Sequence, residues 1–255
     1  MSTLLSGKSF LVMGAANPRS IAWAVALAIQ RHGGSVALTY QAERLQRRVN
    51  ALAEELGGAP MIQCDVGDDA AVRRAFDEVA TFTPVLNGLV HSIAWAPAHD
   101  LQGSFVETTR EGFASANDVS SYSLIAVTRE ARRLMTEGGS VVTMTYAGSQ
   151  RVVPNYNVMG PAKASLESAV RYLAADLGPS GIRVNAVSAG PIATVAARTI
   201  KDFDGMLDLL ASHTPLRRNV TAEEVADATV FLLSGLARAV TGEVLHVDSG
   251  AHATV

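Results

Sequence analysis

Ser9-Phe10-Leu11-Val12-Met13-Gly14-Ala15-Ala16-Asn17-Pro18-Arg19-Ser20-Ile21-Ala22 is the stretch that decides the fold. Ser9–Met13 is a short apolar run and reads as a buried strand. The small residues 14–16 and Asn17-Pro18 end it, and an Ala-rich helical segment, Ser20–Arg31, follows and stops at Gly33-Gly34. A turn after a first strand brings backbone N–H groups and a helix N-terminus together, and both favour an anion. Small side chains at 14–16 let the backbone approach it closely. The G-x-G-x-x-G spacing is absent, so taken alone an ordinary strand–helix turn explains the loop equally well.

The same alternation continues outward. Ser35–Tyr40, Met61–Gln63, Leu86–Ile93, Ser140–Thr145, Arg183–Val187 and Val244–Val247 read as strands. Glu43–Leu56, Asp68–Ala80, about Arg110 to Met135, Asn157–Leu177, 195–212 and 221–233 read as helical. Strands alternating with helices imply βαβ units, hence a parallel sheet covered on both faces. We therefore expect an α/β, Rossmann-type doubly wound sheet. No linker of biased composition divides residues 1–255, so the expectation is one domain.

Composition narrows the class. Of the 255 residues, 48% are hydrophobic and 18% charged, which suits a large core and excludes a disordered chain. A formal net charge of -3 is not the basic footprint of a nucleic-acid binder. No apolar run reaches the roughly 18 residues of a membrane helix, and Met1–Lys8 lacks the pattern of a signal peptide. A soluble, cytoplasmic protein is expected. The single cysteine, Cys64, ends an apolar run and reads as a small buried residue rather than a reactive thiol.

Ligands bind open α/β sheets beyond the carboxyl ends of the strands. That rule selects the turn from Gly14 to Arg19 after the first strand and Gln41 after the second. It also selects Asp65 and Val66 after the third, and Ser92, Ile93 and Ala94 at the end of the fourth. Gln41 can hydrogen-bond a ribose hydroxyl without repelling a phosphate. Arg44 can pair a 2′-phosphate or simply stand in solvent. NADH is favoured and NADPH is not excluded. Asp65 can receive an adenine amino group or cap the following helix.

Tyr156 and Lys163 lie seven apart. On a helix that is nearly two turns, so both would face one side. An ammonium beside a phenol favours its ionisation and can orient cofactor hydroxyls, and a phenol can donate to an oxygen that gains charge. Tyr and Lys at this spacing also occur on ordinary amphipathic helices. It is the position after a fifth strand that gives the pair its meaning.

Gly14-x5-Ser20-Ile21-Ala22, His91-Ser92-Ile93, Tyr146, Tyr156-x6-Lys163, Ser188-Ala189-Gly190-Pro191-Ile192 and Gly242-Glu243-Val244-Leu245-His246-Val247-Asp248 resemble, in order and over almost the whole chain, the FabI-type enoyl-acyl carrier protein reductases. These form a divergent branch of the short-chain dehydrogenase/reductase superfamily. The larger superfamily places three residues between Tyr and Lys, and Gly160 stands where that lysine would be. The resemblance implies a seven-stranded sheet, NADH as reductant, a homotetramer, and reduction of a trans-2-enoyl thioester carried by acyl carrier protein. It implies that Lys163 holds the nicotinamide ribose, Tyr156 hydrogen-bonds the thioester oxygen and Tyr146 lines the substrate site. Ile192 would contact the nicotinamide carboxamide, Asp65 and Val66 the adenine, and Gly14, Ser20 and Ile21 the phosphates. Trp95, Met159, Ala196, Ile200, Phe203 and Met206 would border the acyl chain, residues 194–212 forming a segment that covers the substrate, with Arg198 and Lys201 as candidates for docking the acidic carrier. No metal is implied.

Three positions depart from the family pattern: Ala94 for a glycine, Trp95 for a smaller aromatic residue, and Pro161 between Tyr156 and Lys163. A helix starting near Asn157 would place Pro161 in its first turns, where a missing N–H costs little; an earlier start would kink it. Two other readings remain open on the residues alone: a reductase of ketones or other activated alkenes, and a non-catalytic dinucleotide-binding regulator.

Overall fold

A parallel strand buried on both faces must be apolar on both, and the first strand shows this residue by residue. In the computed structural model, which describes residues 3–194, 205, 207 and 211–254, β1 (Ser9–Met13) sends Phe10 and Val12 into one hydrophobic cluster and Leu11 and Met13 into another. Val12 lies in register with Leu38 on one side and Val90 on the other.

Among the described residues seven strands form one sheet, every pairing parallel, in the order β3-β2-β1-β4-β5-β6-β7. After β1 these are β2 (Ser35–Tyr40), β3 (Met61–Gln63), β4 (Gly88–His91), β5 (Gly139–Thr145), β6 (Ile182–Ala189) and β7 (Val244–Val247). The core on one face is built with α1 (Ile21–Arg31), α2 (Glu43–Glu55) and a later helix, Ala222–Leu233. The core on the other is built with α3 (Asp69–Phe82), α5 (Ser123–Ala131) and α6 (Met159–Leu177). The doubly wound, Rossmann-like sheet expected from the alternation is thus present. The order reverses between β1 and β4, which opens a crevice at their carboxyl ends.

The helix starts follow side-chain chemistry. Ser20 caps α1 by accepting from Trp23 N at 3.2 Å, and Asp68 caps α3 by accepting from Ala70 N at 2.8 Å. Asp65 does not cap α3; its Oδ1 accepts from Gly67 N at 3.1 Å within the turn. Thr221 and Glu224 form a reciprocal capping box on the 222–233 helix.

Two expectations are corrected. The single helix read over 110–135 is α4 (Arg110–Asn117), a π-helical turn at Asp118–Tyr122, and α5. The wider turn inserts buried Ser120 toward the sheet edge, where its Oγ accepts from Trp95 N and donates to Trp95 O, both at 2.9 Å. The helix read from Asn157 begins at Met159, so Tyr156 and Lys163 do not share a helix. Tyr156 sits in a turn flanked by Asn155 and Asn157, both with positive φ (61° and 39°). Pro161 is the third residue of α6, where no intrahelical N–H bond is lost. Ala196, Ile200, Phe203 and Met206, with Arg198 and Lys201, lie outside the described residues, as does most of the 194–212 segment.

Gly14 closes the crevice at its narrowest point. Its φ is +96°, and a Cβ there would stand 2.1 Å from Ser92 O. Gly14→Ala should therefore force β1 and β4 apart at their ends, in addition to the penalty of more than about 1 kcal/mol for a side chain at positive φ. The expected outcome is a lower melting temperature together with weaker dinucleotide binding; a melting curve and a titration matching those of the unsubstituted chain would contradict it.

Candidate active site

Six of the seven strand ends contribute to one edge. Gly14 follows β1, Gln41 follows β2, Asp65 and Val66 follow β3, Ser92 to Trp95 follow β4, Tyr146 follows β5, and Ile192 lies just beyond β6. The parallel topology thus brings together residues up to about 180 positions apart in sequence. Ser20 and Ile21 open α1 at the same edge. Gln41, Asp65, Ala94 and Trp95 are exposed, with Trp95 at 52%. Val66 is buried in one hydrophobic cluster, and Ile192, partly exposed, packs against the other. Cys64 is buried, and burial pushes its thiol up to about 12, with the Asp65 charge adding to the effect. That leaves it a packing residue rather than a nucleophile.

Tyr146 and Tyr156 meet edge to face, ring centroids 5.0 Å apart at 69°. Burial holds both phenols above their ordinary range, so at neutral pH each is a protonated hydrogen-bond donor. Gly148 lies against the Tyr156 ring: a Cβ on it would come within 2.4 Å of Tyr156 Cδ1. Asn157 Nδ2 donates to Gly103 O at 3.3 Å, tying the Tyr156 turn to the loop after β4. That loop is anchored in turn by buried Asp100, which accepts from Thr109 N at 2.8 Å and Thr109 Oγ1 at 2.9 Å.

Lys163, one turn into α6, is 5% exposed. Its Nζ donates to Met144 O at 2.8 Å, the one hydrogen bond it makes among the described residues. An ammonium has three donors, so two remain for a ligand. Burial lowers Lys163 to about 8, with the Glu167 carboxylate opposing the fall. Met159, which starts α6, is also buried and receives a 3.8 Å contact from Ser120 Oγ at its sulfur.

Sequence reasoning missed a buried polar layer under this edge. His91, at the end of β4, is fully buried between Thr143 Oγ1 (2.9 Å from Nδ1) and Ser123 Oγ (2.8 Å from Nε2). Burial first, and then the Lys163 charge, lowers it to about 3, so the ring is neutral. Glu167 is buried and accepts from Thr145 Oγ1 at 2.7 Å and Ser149 Oγ at 2.5 Å. A charged residue four positions after Lys163 on an otherwise apolar helix face was the available signal. Two surface cavities, of about 250 and 280 Å³, lie elsewhere: one at the start of β2, the other beside β7.

The residues fit a dinucleotide. In the first turn of α1, Ser20 takes the Trp23 N–H, while the N–H groups of Ile21 and Ala22 have no acceptor among the described residues, and the buried Lys163 ammonium keeps two donors unused.

Residues 14–252 match the family model described as enoyl-(acyl carrier protein) reductase. The chain is 51% identical over 251 residues to the NADH enoyl-acyl carrier protein reductase FabI of Bacillus cereus, covering 98% of each chain. A crystal structure of the Bacillus cereus enzyme with NADP+ and indole naphthyridinone superposes with a TM-score of 0.97 over 99% of both chains, at 51% identity. The enzyme of Anaplasma phagocytophilum in complex with NAD gives 0.94 at 42% identity, over 99% of this chain and 95% of that one. The chain belongs to the FabI-type enoyl-acyl carrier protein reductase family.

The neutral His91 has a consequence for stability. Its pKa falls from 6.5 to about 3 on folding, so between those values the unfolded chain binds the extra proton. Its contribution is therefore complete above about pH 6.5 and is lost as the pH falls toward 3. The melting temperature should decline below about pH 6.5, and His91→Gln should flatten that decline. A His91→Gln profile parallel to that of the unsubstituted protein would refute the assignment.

Proposed function

We propose that this protein is an NADH-dependent enoyl-acyl carrier protein reductase of fatty-acid synthesis, reducing the trans-2 double bond of an acyl thioester. The observation that carries the reading is the edge-to-face pair Tyr146–Tyr156 beside a buried lysine with unused donors, in a chain whose FabI relative is 51% identical and named for NADH. Gly14, Ser20, Ile21, Gln41, Asp65, Val66, Ser92, Ile93, Ala94, Lys163 and Ile192 would hold the dinucleotide. Tyr146, Tyr156, Trp95 and Met159 would border the substrate, with Ala196, Ile200, Phe203 and Met206 above it. When bound, NADH supplies a hydride to the β-carbon of the enoyl group.

The chain's own groups then act on the carbonyl. As negative charge develops on the thioester oxygen, the Tyr156 hydroxyl stabilises it by donating a hydrogen bond. The raised pKa of Tyr156 keeps that proton in place before reaction. A donor preset in a site shielded from water is worth more than the same bond in solution, because little reorganises as charge appears. Lys163 holds ribose hydroxyls with the two donors that Met144 O leaves unused. Ala94 and Trp95, exposed just beyond β4, would narrow the entrance and influence the preferred acyl length. The protein is proposed to act in the cytoplasm as a homotetramer; among the described residues no helix is long and apolar enough to cross a membrane.

Purified protein should oxidise NADH with crotonyl thioesters and leave a panel of ketones untouched; the reverse preference would overturn the reading. Tyr156→Phe should lower turnover by about a hundred- to a thousandfold, the range for loss of one oxyanion donor, with NADH affinity little changed. Lys163→Ala should instead weaken NADH binding itself. Unchanged kinetics in both variants would remove Tyr156 and Lys163 from the site.

A further inference from the structure

We propose that Glu167 is a positioning residue of this site: its buried carboxylate supplies the counter-charge for the Lys163 ammonium one helical turn away and clamps the turn on which Tyr156 rests. This rests on the reading of Tyr156 and Lys163 above and extends it to a residue that touches neither substrate nor cofactor.

The clamp is visible in the hydrogen bonds. Glu167 is 5% exposed, and its Oε1 accepts from Thr145 Oγ1, the last residue of β5, and from Ser149 Oγ. Thr145 immediately precedes Tyr146, and Ser149 ends the short 3₁₀ turn Ala147–Ser149 that follows it. At the middle of that turn Gly148 packs on the Tyr156 ring. Lys163 Nζ grips Met144 O just upstream. One face of α6 therefore holds residues 144–149 at three points, and both tyrosines take their places from that segment.

Hydrogen bonding alone does not call for a carboxylate. A glutamine amide oxygen could accept from the same two hydroxyls, without the cost of burying a charge. The negative charge has a use only toward a cation, and the cation whose ionised state Glu167 favours is Lys163. The two act through space, since the Nζ hydrogen bond goes to Met144 O. The other titratable group coupled to Lys163 is His91 on β4, which is neutral above about pH 3. Tyr146 and Tyr156 are held above their ordinary range and stay uncharged in the same window. Below about pH 8 the ammonium is charged and can hold ribose hydroxyls, and above it that hold fades. Removing the Glu167 charge moves the change to lower pH.

The test is NADH affinity, followed by fluorescence titration of the intact enzyme across the neutral to alkaline range, with turnover on a crotonyl thioester measured alongside. In the unsubstituted protein, affinity should fall as pH rises through about 8. In Glu167→Gln the fall should begin about one pH unit lower, so that affinity is about five- to tenfold weaker near pH 8 and nearly equal near pH 6. Ser149→Ala keeps the charge and loosens the clamp, so it should leave the NADH profile in place and lower turnover several-fold. Should Glu167→Gln not fold, Glu167→Asp, which keeps the charge and shortens the reach, should retain the unsubstituted NADH profile with reduced turnover. A Glu167→Gln profile that coincides with the unsubstituted one, a shifted Glu167→Asp profile, or full turnover in Ser149→Ala would overturn the proposal. If the unsubstituted protein shows no fall near pH 8 and Lys163→Ala binds NADH normally, it is the reading of Lys163 that fails, and the role of Glu167 fails with it.

Discussion

The hydrogen bond from Lys163 Nζ to Met144 O, 2.8 Å long and almost shut off from solvent, ties the start of α6 to the end of β5. Burying an ammonium is costly unless its charge and its donors are met. One donor is met by the strand, and the charge is opposed through space by Glu167. What remains is a cation with a depressed pKa and two donors unspent. The same bond fixes the distance between helix and strand end, and so determines where Tyr146 leaves the sheet.

The sheet makes that local arrangement into a site. With every pairing parallel, each strand ends on the same edge, and the reversal of order between β1 and β4 leaves that edge open at one place. Gly14 and Ser92 meet there so closely that no side chain fits at position 14. The start of α1 is thereby set beside the residues following β4, and β5 and β6 extend the same floor toward Tyr146 and Ile192. Beneath it, His91, Thr143 and Ser123 satisfy one another in the neutral state, so that no second positive charge competes with Lys163.

The elements that follow simple periodicity were legible in the sequence. Apolar runs gave seven strands within two residues of their ends, and the carboxyl-edge rule then selected Gly14, Gln41, Asp65 and Ser92, whereas Ile192 came from the family resemblance. Conformations set by tertiary contact were not. The π-helical turn at Asp118–Tyr122 lies in a pattern that reads as continuous helix, because what widens it is the bond between Ser120 and the Trp95 backbone, 25 residues away. The positive φ values at Asn155 and Asn157 were equally hidden, since asparagine tolerates that region without requiring it. Glu167 belongs to no motif, and His91 entered only as part of the family resemblance; what either does appears only when burial shows that neither is a solvated surface residue.

The six-residue gap between Tyr156 and Lys163 now has a physical account. If both residues stood on one helix, the phenol would be fixed by helical rise and twist alone. Instead the helix starts at Met159, whose N–H bonds Tyr156 O at 3.0 Å, and the preceding turn carries Tyr156. That turn reverses direction at Asn155 and Asn157, and its ring comes to rest on Gly148 rather than on α6. Gly160, where the larger superfamily places its lysine, lies on the Gly148 backbone: a Cβ there would approach Gly148 O to 3.0 Å. A longer side chain at 160 would push away the turn that supports the phenol. The lysine therefore stands one position short of a full helical turn further on, at 163, where α6 faces the end of β5 and where a buried ammonium can be held from both elements at once.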